Sequence, residues 1–330
     1  MILENLPRFH LAEFPTPIHY LASFSKACNG PAIFMKRDDI TSLGMGGNKT
    51  RKLEFLIGEA LSQEKDTLVT AGGIQSNHCR LTAAAARKAG LSCHLVLNGE
   101  KPESSNGNLL LDEIFGARVH FCDRKERDQK LNLVADDLSA DGKKPYVIPV
   151  GGSNSTGSAG YVNAMLELET QVKSLQFQLD AIVFATSSGG TQAGLTLGGK
   201  IINFKGQILG ISIDQTKTGE EPFPPILSEI ANTTARTIGT SIELNEENFD
   251  LNCDYLGAGY AIPGDMEFKA IRDLARHEGI LLGPVYTARA MGGLTDLIQK
   301  GHFTKDQTVL FWHTGGAPEL FAWANQLQVV

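Results

Sequence analysis

Three short segments carry residue types that could do chemistry together. The first, G-M-G-G-N-K-T-R-K-L-E-F (44–55), sets Lys49, Arg51 and Lys52 in what reads as the first turn of a helix, where the macrodipole disfavours cations. It is not a nucleoside-triphosphate loop, because Asn48 rather than glycine precedes Lys49. A lysine partly desolvated beside other cations loses proton affinity and becomes nucleophilic toward carbonyls. A solvated basic turn paired with Asp38 and Asp39 would account for the same residues without chemistry. The second segment, A-T-S-S-G-G-T-Q-A-G (185–194), follows an apolar strand and exposes backbone N–H groups ahead of a helix starting near Thr191. That is the chemistry of a phosphate cradle. It holds no lysine and no metal ligand, so it suits a phosphate that anchors rather than one that reacts. A tight strand–helix turn is the plainer alternative. In the third, G-G-I-Q-S-N-H (72–78), Ser76, Asn77 and His78 stand at a helix start, and N-capping explains one of them but not all three.

Two later loops add to these. G-P-V-Y-T (283–287) offers Tyr286, an acid–base candidate or a packing residue. H-T-G-G-A-P (313–318) offers Thr314, whose hydroxyl could meet a ring nitrogen or cap a helix. A reactive lysine, a metal-free phosphate cup and hydroxyl or amide loops together point to pyridoxal 5'-phosphate. Its aldehyde needs a lysine, its phosphate a cup and its ring nitrogen a partner.

Those loops need a scaffold, and the pattern around them alternates strand and helix. Buried runs at Ala32–Met35, Thr67–Thr70, His94–Leu97, Ala117–Phe121, Tyr146–Pro149, Ala181–Phe184, Ile208–Ile213 and Thr308–Trp312 read as strands. Leu53, Leu56, Ile57, Ala60 and Leu61 fit one helical face, as do Phe268, Ile271, Leu274 and Ala275. Gly90 and Gly279 sit where C-terminal caps are expected. The fold class is α/β: open, mostly parallel twisted sheets covered by helices. With 330 residues and no Ser/Pro linker, two lobes joined by several chain crossings are expected. Residues 214–250 show no clear pattern.

Composition closes off other functions. Net charge is −7 and no block of five like charges appears, so neither nucleic acid nor a membrane surface is an expected partner. No apolar run approaches a membrane span, and MILENLPRFH lacks a signal-peptide pattern, which predicts a soluble, cytoplasmic protein. Five widely spaced cysteines without C-x-x-C, and no H-E-x-x-H, argue against disulfide and zinc frameworks. Glycine is in excess, 35 of 330 against roughly 7% usually, and it gathers in the loops just described.

With the Y-V-I-P-V-G-G-S run (146–153), these segments occur in an order that resembles the 1-aminocyclopropane-1-carboxylate deaminase/D-cysteine desulfhydrase family. These are pyridoxal phosphate enzymes of the tryptophan synthase β-subunit fold type, fold type II. The resemblance extends from about Pro7 to Phe321. It implies that Lys49 bonds the cofactor, that Asn77 meets its phenolic oxygen, and that Ser188, Gly189, Gly190 and Thr191 hold its phosphate. It implies catalytic roles for Lys49, Tyr286 and Ser76, with Ser76, Asn77 and His78 binding the substrate carboxylate. Tyr260 and Tyr286 would flank substrate and ring, Thr287 would join them as a substrate contact, and Tyr286 and Thr314 would contact the cofactor. It further implies a smaller lobe, 48–157, inserted in a larger one, 1–47 and 158–330, and a homodimer.

Deaminases of the family carry Glu and Leu where this chain has Thr287 and Thr314. An uncharged hydroxyl leaves the ring nitrogen neutral, which suffices for α-proton removal and loss of a good leaving group. The expected activity is therefore α,β-elimination of D-cysteine to pyruvate, ammonia and hydrogen sulfide. The cyclopropane deaminase, an L-cysteate sulfo-lyase and a catalytically silent binding protein stay as alternatives. Gly283 replaces the family's usual Asp, which is expected to loosen the loop bearing Tyr286.

Overall fold

Parallel strands covered on both faces read as continuous apolar runs rather than alternating ones. Ala181–Thr186, buried at every position, is the clearest instance. The computed structural model describes residues 3–214, 217–218 and 221–327. Its strands are β1 (Ile18–Tyr20), β2 (Ala32–Arg37), β3 (Thr67–Gly73), β4 (Ser92–Asn98), β5 (Arg118–Cys122), β6 (Pro145–Val147), β7 (Ala181–Thr186), β8 (Gln207–Ser212), β9 (Lys217–Thr218), β10 (Glu221–Pro222), β11 (Asp250–Asn252) and β12 (Thr308–His313). Its helices are α1 (Ala22–Cys28), α2 (Lys49–Ser62), α3 (Asn77–Ala89), α4 (Gly107–Ile114), α5 (Arg127–Ala140), α6 (Ser155–Leu175), α7 (Gly190–Ile201), α8 (Phe223–Thr237), α9 (Asp265–Glu278) and α10 (Thr287–Gln299).

Each of the eight expected runs lies in or overlaps a strand. Six strands form one sheet in the order β1-β2-β12-β7-β8-β11, and four form another in the order β5-β4-β3-β6. Every pairing in these two sheets is parallel except β1 with β2. The chain leaves the larger sheet after β2, builds the smaller one and returns at β7. Side chains from α9 and α10 fill one face of the larger sheet, and those from α6 and α7 fill the other. The smaller sheet lies between α2, α3 and α4 on one face and α5 on the other. Gly90 and Gly279 adopt φ of 74° and 68° at the ends of α3 and α9, as C-terminal caps do. No described helix is long and apolar enough to cross a membrane.

The patternless stretch 214–250 holds α8, β11 and the small β9–β10 hairpin. The helix was illegible because Pro224 and Pro225 open it and Asn and Thr crowd its last turns. Proline is tolerated in a first turn, and the buried Phe223, Leu227, Ala231 and Ala235 supply the packing face.

One buried carboxylate ties the helix carrying Lys49 to the larger sheet. Asp38, directly after β2, accepts hydrogen bonds from Arg51 Nε and Nη2 at 2.8 Å each, Tyr161 at 2.7 Å, Trp312 Nε1 at 2.7 Å and Thr16 Oγ1 at 2.9 Å. Burial pushes its carboxyl pKa up, but the Arg51 charge and these donors outweigh it, and the net direction is down. Arg51 also bonds Glu167 through two nitrogens at 2.9 Å. Breaking a buried pair on one side typically costs about 3–5 kcal/mol, because the surviving charge stays buried. Arg51→Met is therefore expected to lower the unfolding free energy by about that much in urea titration. Lys173→Met, which removes the exposed pair with Glu169, should barely move it; equal losses would refute the anchoring role.

Candidate active site

Ligands on open α/β sheets sit beyond the C-terminal strand ends, and here two sheets aim those ends at one cleft. Gly72 and Gly73 of β3, Asn98 of β4, Ala185 and Thr186 of β7, and Thr314 after β12 all line it. So do Lys49, Ser76, Asn77, His78, Ser188, Gly189, Thr191, Tyr260 and Tyr286. Of the expected site residues, two are not on the wall. Gly190 is the first residue of α7, just behind it. Thr287 is fully buried, its hydroxyl accepting from Gly283 N at 2.8 Å and lying 3.1 Å from Gly315 O. Of the pair Thr287 and Thr314, only Thr314 lines the cleft, so the placement does not support Thr287 as a substrate contact.

Lys49 opens α2, and its Nζ donates to Gly151 O at 3.2 Å. Burial lowers its pKa to about 8. The basic turn is not solvated: Arg51 and Lys52 are buried, and Arg51 takes Asp38 while Asp39 pairs with Arg37. No ion pair reaches Lys49 or Lys52 among the described residues.

Lys52 corrects the reading of the phosphate cup as free of lysine. Its Nζ donates to Gly151 O at 3.1 Å and to Ser153 Oγ at 3.2 Å. A Cβ on Gly190 would lie 2.8 Å from that Nζ and from Ser153 Oγ. Burial, then the Lys49 charge, holds the Lys52 pKa well below its ordinary value. The cup is thus built from two chain segments. Ser153 Oγ accepts from Gly190 N at 3.1 Å and shares a 2.8 Å hydrogen bond with Ser188 Oγ. Asn48 Nδ2 donates to Thr191 Oγ1 at 3.2 Å. Gly189, at φ 87° and ψ −34°, makes the turn into α7, a conformation open to glycine and strained for other residues. Sequence reading missed Lys52 and Ser153 because each is distant in the chain from the 185–194 loop; the G-G-S at 151–153 was the available signal.

Ser76 caps α3, its Oγ accepting from Cys79 N at 3.2 Å. The N–H groups of Asn77 and His78 open the helix, where no intrahelical acceptor exists. His78 is more particular. Thr70 Oγ1 donates to Ile148 O at 2.8 Å, so its oxygen accepts the 2.9 Å contact from His78 Nε2. This assigns the hydrogen to Nε2 and leaves Nδ1 as a buried acceptor without a partner among the described residues. Burial, reinforced by Lys49 and Lys52, keeps the ring neutral. An acceptor nitrogen is unsuited to a carboxylate, whereas the backbone N–H groups at the helix start, that of His78 included, suit one.

Tyr260 and Tyr286 hydroxyls meet at 2.5 Å with their rings edge-on. Burial raises both phenols above their ordinary pKa, which suits hydrogen-bond donation and not a base role for Tyr286. Gly283, expected to loosen this loop, stands at a tight backbone crossing. A Cβ there would lie 2.7 Å from Gly316 Cα and O, so glycine lets two backbones cross closely.

These residues fit pyridoxal phosphate. A half-buried amine of depressed pKa stands beside a glycine cup with a second amine, and the buried Thr186 Oγ1 and His78 Nδ1 have no hydrogen-bond partner among the described residues.

Comparison with known proteins agrees. The family model described as pyridoxal-phosphate dependent enzyme matches residues 10–315. The D-cysteine desulfhydrases of Salmonella newport (strain SL254) and Salmonella heidelberg (strain SL476) are each 42% identical over 328 residues, covering 97% of this chain and 97% of the relative. A solved structure of an ACC deaminase homologue has a TM-score of 0.91 at 38% identity, covering 99% of this chain and 97% of its own. A solved pyridoxal 5'-phosphate-dependent aspartate racemase, with a TM-score of 0.65 at 19% identity and coverage of 91% and 90%, shares the fold. The chain, matched over nearly its whole length, belongs to the pyridoxal-phosphate dependent enzyme family, fold type II.

Proposed function

We propose that this enzyme catalyses α,β-elimination of D-cysteine, taking up one water and releasing pyruvate, ammonia and hydrogen sulfide. The observation that carries this reading is the half-buried Lys49 amine beside the α7 cup, in a chain 42% identical to D-cysteine desulfhydrases. We assign residues 48–157 to the smaller lobe and 1–47 with 158–330 to the larger. A cytoplasmic homodimer is part of the proposal. Exposed Met45, Ile114 and Phe321 offer apolar surface for such an interface.

Pyridoxal phosphate, when bound, supplies an electron sink that acidifies the α-carbon of an amino acid and lets a β-substituent depart. Lys49 would hold it covalently. An amine with a pKa of about 8 has roughly a hundredfold more neutral form at pH 8 than one at the ordinary value. Ser188, Gly189, Gly190, Thr191 and Lys52 would hold the phosphate, Asn77 and Tyr286 would contact the ring, and Thr314 would face its nitrogen. Lys49 is our choice to take the α-proton, because raised phenol pKa values make Tyr286 a poor base. Ser76 Oγ, with the α3 N–H groups, would orient the carboxylate. His78 Nδ1, neutral and unpartnered, can accept from a substrate N–H. Thr314 presents no charge, which favours expulsion of thiolate over opening of a cyclopropane.

A second reading has one observation behind it. Arg124 and Arg127 also line the cleft, and Arg124 lies 5.7 Å over the Tyr260 ring with no ion pair among the described residues. Guanidinium groups there would suit an anionic β-substituent, as in L-cysteate.

Three outcomes test these assignments. Lys49→Ala should abolish the visible band seen when pyridoxal phosphate is added, and lower sulfide release by at least about a thousandfold. Borohydride trapping of added pyridoxal phosphate by the cofactor-stripped protein should rise with pH through a midpoint near 8; a midpoint near that of an ordinary lysine would remove the case for an activated amine. Assayed side by side, D-cysteine should release sulfide faster than L-cysteate releases sulfite or the cyclopropane amino acid releases ammonia. Preference for L-cysteate, lost in Arg124→Ala, would install the second reading instead.

A further inference from the structure

Behind Asn77 lies a buried polar cluster that the mechanism above does not use. Arg80 of α3, Asn108 and Asp112 of α4, and Glu319 of the 3₁₀ segment Ala317–Trp323 are each 0% exposed. Of this cluster only Asn77 reaches the cleft wall. Its Oδ1 accepts from Asn108 Nδ2 at 2.9 Å and from Arg80 Nη2 at 3.3 Å, while its Nδ2 donates to Glu319 Oε1. Turning the amide over would set Oδ1 against the Glu319 carboxyl and the NH₂ against two donors. The amide therefore has one orientation. Its second N–H has no protein acceptor among the described residues.

Glu319 is held in place from the other side as well. Its Oε2 lies 3.4 Å from Val285 N, one residue before Tyr286, and the Gly283 and Gly316 backbones cross beside it without room for a side chain. Among the described titratable groups, Arg80, Tyr260 and Tyr286 feel its charge, and Asp112 acts alongside it on Arg80. Burial pushes the Glu319 carboxyl up to about 8, against the Val285 N–H, the Arg80 charge and the Asn77 amide. Oε1 can accept from Asn77 in either protonation state.

We propose that Glu319 is a positioning residue of the active site: it takes one N–H of Asn77 and so presents the other to an acceptor oxygen of the ligand in the cleft. This rests on the assignment of the cleft to pyridoxal phosphate and an amino acid. Sequence motifs do not announce such a role, since Glu319 lies beyond the H-T-G-G-A-P loop and does not line the cleft.

The test compares wild type with Glu319→Gln, Glu319→Leu, Asn77→Ala and the Asn77→Ala/Glu319→Leu double variant. Each is loaded with pyridoxal phosphate and read by its visible absorbance against pH, cofactor Kd, kcat, KM and Tm. Glu319→Leu is expected to shift the band's pH midpoint and to weaken cofactor binding about tenfold, the scale of one hydrogen bond to a charged group. Glutamine keeps an acceptor oxygen and should restore the band and bring Kd within about threefold of wild type. In the Asn77→Ala background Glu319→Leu should add nothing, because coupled residues are not additive. A lowered Tm with unchanged spectrum and Kd would overturn the proposal, as would equal damage from Gln and Leu or additive losses in the double variant. A wild type that takes no cofactor at all would bring down the functional reading and this one together. Failure of the variants alone brings down only this one.

Discussion

The catalytic end of this protein depends on how it manages positive charge in the first turn of α2. Lys49, Arg51 and Lys52 stand within one turn, at the end of the helix where the backbone already carries partial positive charge. Only Arg51 is neutralised by carboxylates, through Asp38 and Glu167. Because Asp38 follows β2 and is also held by Tyr161 of α6 and Trp312 of β12, its pair with Arg51 ties α2 to the larger sheet. The other face of α2 packs with α3 and the smaller sheet. The same helix thus spans both sheets and carries the reactive amine. Leaving Lys49 and Lys52 without acids is what makes them chemically useful, since pairing would raise their proton affinity instead.

That arrangement constrains the loops around it. The amines of Lys49 and Lys52 converge on one carbonyl, Gly151 O, which requires the 149–153 backbone to pass very close to α2 and to Ser188. A Cβ on Gly151 would lie 2.2 Å from Ser188 Oγ, and the residue sits at φ 71°. Backbone, hydroxyl and amine groups therefore share a space with no room for larger side chains. The glycine excess in composition is the outward sign of this crowding, and the second amine shows that backbone alone does not build the cup.

Much of the fold was legible because its central strands are buried on both faces, and such runs stand out without knowledge of their partners. What escaped was whatever gains its meaning from distant contacts. β1 and β11 are three-residue edge strands with mixed polarity, and α8 begins on two prolines. In the site, Lys49, Asn77 and the 185–194 loop could be read locally, since each combines an element boundary with polar or glycine residues. Lys52 and Ser153 could not, because only folding brings them to Gly190. Thr287 shows the converse: a hydroxyl at a promising position in the chain turned inward to hold the backbone of Gly283 and Gly315.

A final constraint follows from counting protonation states across the cleft. His78 is held neutral with its acceptor nitrogen bare, and both tyrosines are held as phenols. Lys49 is poised near 8, and Thr314 adds no charge. Burial, not ion pairing, sets each of these states. Around Lys49 the cleft thus offers mostly neutral donors and acceptors, with the Arg124 and Arg127 guanidiniums on its wall, and an amine that can gain or lose a proton near physiological pH. Proton transfer at a substrate α-carbon is served by an amine whose pKa lies near the working pH, and carboxylates paired with that amine would defeat it by holding it protonated. The sheets that bury this region so thoroughly are, in that sense, part of the chemistry as well as its support.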